Sequence, residues 1–177
     1  MAHIVDVDRP DGARLNVQIA GGPDSPVLLL LPGQASSHTW WTGIRERYED
    51  RFRTLTMDYR GTGATSDPGG DLSTSLLADD AIAVLDHLGV ERAHVYGTAM
   101  GGRIAQHLAG RNPDRVTTLA LACTSPGGPH AAERDTDVRK ALLTQPRSHD
   151  SGRWLNCSTP RPGATTPPSP TCSATRP

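Results

Sequence analysis

Short apolar runs alternate along the chain with longer stretches of helical period. Val27–Leu31, Arg53–Met57, residues 93–96 and Val116–Ala122 are runs of apolar or β-branched residues, the pattern of strands buried on both faces of a parallel sheet. Between the second and third runs, Ser73 or Thr74 caps a predicted helix that carries Leu77, Ala81, Val84, Leu85 and Leu88 on one face and stops at Gly89. A further helix is predicted over residues 99–109, where Met100, Ile104 and Leu108 recur every fourth position, and it closes before Asn112-Pro113. Upstream, His3–Asp8 and Arg14–Ala20 read as two more exposed strands joined by the turn Pro10-Asp11-Gly12. With another helix opening around His38, Trp40 and Trp41, the order is two strands, then strand, helix, strand, helix, strand, helix, strand. This order predicts an α/β fold with a mostly parallel sheet entered by an antiparallel pair. No internal repeat is visible.

The periodic pattern ends near Leu143. Residues 146–177 hold seven of the 15 prolines, four arginines and one acid, with Leu155 almost alone among aliphatic residues, so a disordered tail is expected there. The folded portion is then residues 1–145, enough for one core. Aromatic residues make only 4% of the chain, which leaves the packing to Leu, Val and Ala. Eighteen basic against 19 acidic residues lack the basic excess of a nucleic-acid or anionic-membrane binder, so neither partner is expected. The longest apolar run, Val27–Leu31, is too short for a membrane span, and the N-terminus shows no leader pattern; a cytoplasmic protein is expected. Cys123, Cys157 and Cys172 are odd in number and match no metal spacing, so neither a disulfide framework nor a metal site is expected.

In sheets of this kind chemistry sits beyond the carboxyl ends of the strands. The run 93–96 leads into Gly97-Thr98-Ala99-Met100-Gly101-Gly102 and straight on into a helix, the setting of a nucleophile elbow, with Ala99 at its tip. Val27–Leu31 leads into Pro32-Gly33-Gln34, a turn able to aim the Gln34 N–H at an oxyanion together with the N–H of Met100. Arg53–Met57 leads into the loop running from Asp58 to Ser66, read as a scaffold bracing the pocket floor. Within it, Gly61-Thr62-Gly63 lacks both the third glycine of a dinucleotide site and the lysine of a phosphate loop, which disfavours a Rossmann oxidoreductase. Trp40 and Trp41 either line an apolar substrate pocket or seal the core, and the sequence leaves both open. Cys123, at the end of a strand, is expected to be a small core residue.

Together, the P-G turn, the D-x-R-G-x-G-x-S loop and the G-x-x-x-G elbow, in this order and spacing, resemble the α/β-hydrolase fold family. The flanking segments 88–96, 104–109 and 112–116 resemble its branch of small esterases, enol-lactonases and polyketide methyl esterases. The resemblance implies helices on both faces of the sheet and Ser-His-Asp acyl transfer on a small ester or lactone, with no cofactor. It places Ala99 at the nucleophile position and Gln34 and Met100 in the oxyanion hole. It also exposes departures. Ala99 has no hydroxyl, and the turn points Thr98 elsewhere. The family's acid and histidine come later in the chain, where His130 and His149 read as solvated loop residues; Pro32 stands where many relatives have histidine. The resemblance therefore implies the N-terminal portion of an ester or lactone hydrolase that is catalytically defective as this chain. The alternative is a non-catalytic relative that binds a small apolar ligand or a partner through the old pocket.

Overall fold

Five consecutive aliphatic residues can be buried only where a strand is covered on both faces, and Val27–Leu31 (β3) lies in the middle of a six-stranded sheet. The computed structural model describes residues 2–127 and 135–137. Around β3 the strands are His3–Asp8 (β1), Arg14–Ala20 (β2), Arg53–Met57 (β4), Ala93–Thr98 (β5) and Val116–Ala122 (β6), in the spatial order β1-β2-β4-β3-β5-β6. β1, β2 and β4 pair antiparallel, and β4, β3, β5 and β6 run parallel. The antiparallel entry and parallel remainder agree with the sequence pattern. Residues 146–177, with His130 and His149, lie outside the described residues. Among the described residues no helix is long and apolar enough to cross a membrane.

Alternation along β3 divides the core in two. Leu29 and Leu31 face the helices Thr74–His87 (α1) and Met100–Arg111 (α2), packing among Leu77, Ala81, Leu85, Ile104 and Leu108. Ser73 starts α1 by accepting the Leu76 N–H at 3.0 Å. Leu28 and Leu30 face the other way, onto Trp41, with Tyr48, Phe52 and Tyr96 around it. The expected helix near Trp40 is replaced by two short 3-10 helices, His38–Trp41 and Arg45–Arg47. Thr42 takes an extended ψ of 134° and Gly43 a φ of +77°, and neither continues a helix.

The edge strand β6 brings a correction. Leu119 and Leu121 are 39% and 44% exposed, and Cys123, expected in the core, is exposed as well. β6 has a neighbour on one side only among the described residues, so the end of this strand is not enclosed as the end of β3 is.

Two constraints hold the helices onto the sheet. α2 approaches so closely that a Cβ on Gly101 would lie 2.2 Å from the Leu31 carbonyl oxygen, and one on Gly97 would lie 2.4 Å from the Gly101 carbonyl oxygen. Further along, Arg60, only 2% exposed, donates through Nε and Nη2 to the two oxygens of fully buried Asp80 on α1, at 2.6 and 2.8 Å. Arg9 adds a bond to Asp80, and Arg60 reaches Asp11 in the β1–β2 turn. Thus the loop after β4 clasps the first hairpin and α1 at once. Asp80 raises the Arg60 guanidinium above its already high range, and the Arg60 hydrogen bond holds the Asp11 carboxyl below its ordinary 3.8.

Two stability measurements test this packing. Gly101→Ala is expected to lower the free energy of unfolding by about 1–3 kcal/mol, because backbone must move to admit the methyl; an unchanged urea midpoint would contradict the close approach. Asp11, with its carboxyl lowered in the folded state, stabilises fully above the unfolded value of 3.8 and loses that contribution as the pH falls below it. The urea midpoint of Asp11→Asn is therefore expected below wild type at neutral pH, with the gap closing under acid.

Candidate active site

The ends of β4, β3 and β5 lie side by side, and the residues just beyond them make the site. β5 and α2 meet at Ala99, whose φ of 50° and ψ of −114° are adopted at a cost by any residue with a Cβ. The surroundings determine this conformation. The Ala99 N–H donates to the Ala122 carbonyl at 3.0 Å, and its own carbonyl accepts from the Gly102 N–H at 3.1 Å and the Thr124 hydroxyl at 2.6 Å. β6 and its following residues thus grip the turn from one side while α2 starts on the other. Met100 is the first residue of α2, so its N–H has no acceptor within the helix and stands at the positive end of the helix dipole.

The turn after β3 rests on this elbow. A Cβ placed on Gly33 would lie 3.5 Å from the Ala99 methyl, and Pro32 accepts the Tyr59 hydroxyl at 2.9 Å from below. Burial pushes the Tyr59 phenol well up, so it remains a neutral donor. Gln34 follows in the same turn, exposed, ahead of Ala35 at φ +56°. Position 99 and the Pro32-Gly33-Gln34 turn, predicted separately, are therefore brought together.

Trp41 is 1% exposed and packs in the second core cluster with its ring tilted 55° to that of Tyr96, centroids 5.4 Å apart, whereas Trp40 is 55% exposed. Thr98 Oγ1 is buried and has no hydrogen-bond partner, away from the accessible tip of the turn. The loop after β4 braces its neighbours as expected: Thr65 accepts the Asn16 N–H, and Ser66 accepts the Arg14 N–H. Sequence reasoning missed what Asp58 does. Fully buried, it accepts the His38 N–H at 2.6 Å, His38 Nδ1 at 3.0 and 3.1 Å, and the Ala64 N–H at 2.9 Å. The one available signal was that Asp58 directly follows β4 and His38 lies in the segment after β3, its parallel neighbour. Among the described residues no three His, Cys, Asp or Glu side chains gather as a metal site.

Comparison with known proteins agrees with this geometry. The family model described as alpha/beta hydrolase fold matches residues 26–145. A protein of Caulobacter sp. (strain K31) named as the carbamate hydrolase RutD is 37% identical over 130 residues, 71% of this chain and 48% of its own length. 3-Oxoadipate enol-lactonase 2 of Acinetobacter baylyi is 31% identical over 123 residues, 70% of this chain and 46% of the enzyme. A hydrolase of Pseudomonas aeruginosa of known structure superposes with a TM-score of 0.69 at 31% identity, covering 80% of this chain and 58% of the other. The chain spans about half the length of the curated relatives it matches. With the sheet order, the elbow and the turn resting on it, these matches show that the chain belongs to the alpha/beta hydrolase fold family.

Proposed function

We propose that the Ala99 turn binds the carbonyl of a small ester, lactone or carbamate, and that this chain forms no acyl-enzyme there. The relatives' names carry the substrate class: one bears the name of a carbamate hydrolase and another that of an enol-lactonase. The observation that carries the rest is a methyl group at the tip of an intact elbow, at φ 50°. Acyl transfer needs an oxygen or sulfur to bond the carbonyl carbon, and a methyl has no lone pair to offer.

The electrostatic half of the machinery does not depend on that side chain. The Met100 N–H, free of the helix and aligned with its dipole, and the Gln34 N–H in the turn against Ala99 are the donors assigned to a developing oxyanion. Donors of this kind, with substrate binding, leave about 10³–10⁴-fold acceleration over water when a catalytic triad is removed. Any hydrolysis at this turn therefore takes its nucleophile from solvent. A binding-only role is the second reading, favoured by the same methyl group.

Intact-mass measurement tests the proposal during exposure of the chain to an activated aryl ester, a lactone and an aryl carbamate. No acyl adduct is expected, and an adduct on any residue would overturn the non-acylating reading. A phosphonate monoester presents a tetrahedral oxyanion without requiring a nucleophile, and it is expected to bind more tightly than the matching ester. Failure of either to perturb the amide resonances of Gly33, Gln34 and Met100 would remove the assigned site.

A further inference from the structure

With no hydroxyl at position 99, what matters next is whether any group near the turn can activate water. We propose that His38, oriented by Asp58, is a general base for attack of water on a carbonyl held at the Ala99 turn. The inference rests on the substrate reading above.

The Asp58 carboxylate has no hydrogen to give, so its contacts with His38 Nδ1 at 3.0 and 3.1 Å place the ring proton on Nδ1. The lone pair of the neutral ring is then on Nε2, at the edge turned away from Asp58. The Asp58 side chain is wholly buried and further fixed by the His38 and Ala64 N–H groups, whereas the His38 side chain keeps 26% of its surface accessible. This is a carboxylate–imidazole pair in which the carboxylate is buried and the imidazole side chain is partly accessible.

Its placement fits the task. Asp58 is the first residue beyond β4 and Ala99 the first beyond β5, with β3 between them. Two strand spacings separate such positions by about 10 Å. Gly33, in the segment that leads from β3 to His38, lies close enough to Ala99 that a Cβ on it would reach the Ala99 methyl at 3.5 Å. An imidazole, one water molecule and a carbonyl carbon in hydrogen-bonding sequence fill a span of about that size. In the step, a water oxygen bonds the carbonyl carbon while its proton passes to His38 Nε2. The carbonyl electron pair moves onto the oxygen facing the Met100 and Gln34 N–H groups. When that pair returns, the bond to the leaving oxygen or nitrogen breaks, and the leaving group takes the proton from Nε2. An ester gives acid and alcohol and a lactone a hydroxy acid; a carbamate gives carbamic acid and alcohol when its C–O bond breaks, or a carbonic acid monoester and amine when its C–N bond breaks.

The test compares hydrolysis of an aryl ester and an aryl carbamate by the 177-residue chain with that by His38→Gln, His38→Ala and the control His3→Gln on exposed β1. Removing the base is expected to lower kcat by about 10²-fold or more with KM little changed. Imidazole added to His38→Ala restores part of the rate, which a purely structural role would not produce. Circular dichroism and thermal melts check that each variant is folded. A folded His38→Gln with wild-type kcat overturns the proposal, as does a folded His38→Ala that imidazole does not rescue. Wild-type binding of the phosphonate monoester without any turnover overturns the water path and leaves the binding site standing; loss of both binding and turnover overturns the two together.

Discussion

The closeness of α2 to β3 and β5 is the constraint on which the site depends. A helix that began one methyl group farther away would not place its first turn against the Leu31 and Pro32 carbonyls, which a Cβ on Gly101 would meet at 2.2 and 2.4 Å. Dense packing offers no small retreat: the end of β3 is buried, and a shift of α2 would also pull Ile104 and Leu108 from the core. The chain must therefore turn from strand to helix within a single residue. Ala99 takes that turn at positive φ, and the cost of about 1–3 kcal/mol is carried by the packing around it.

A second brace acts through α1, on the same face of the sheet as α2. Burying Arg60 and Asp80 removes two charges from water, a penalty that a bidentate contact alone offsets poorly. Here the charges are shared: Asp80 also accepts from Arg9, and Arg60 also donates to Asp11. What the arrangement contributes is position more than energy. It ties α1, the β1–β2 turn and the loop after β4 to one point, so Tyr59, one residue before Arg60, is delivered beneath Pro32. The turn over Ala99 is thus supported through a chain of contacts that starts at the neighbouring Arg60 and its charged partners.

The central strands were legible as short apolar runs covered on both faces, the two helices by their apolar stripes, and the elbow because its glycines stand where backbones nearly touch. Other features were not, for physical reasons. The segment after β3 carries aromatic residues suited to a helix, but the reversal at Thr42 and Gly43 leaves two short 3-10 helices. Cys123 follows an apolar run, and apolarity alone does not distinguish a central strand from an edge strand with the same composition. The His38–Asp58 and Arg60–Asp80 pairs join residues 20 apart in sequence, and only the neighbouring strand ends and the fold of α1 bring them together. Charge pairing across such a separation leaves no period to read.

The alanine at the elbow bears on why the strained turn persists in this chain. In an acylating enzyme the positive φ lifts a hydroxyl into the pocket, and that benefit is gone when the side chain is a methyl. The turn has a second product that the substitution leaves intact: it ends β5 and starts α2 with no intervening loop, so the Met100 N–H emerges beside the tip, unpaired within its helix. A longer and unstrained connection would carry that N–H away from the Gly33 turn, which lies so near that a Cβ on Gly33 would meet the Ala99 methyl. The strain is therefore tied to the backbone donors as much as to the missing nucleophile. On the function proposed above, chemistry at this turn would rest on main-chain groups held by packing, with proton transfer falling to side chains such as His38 that approach from the neighbouring strand ends.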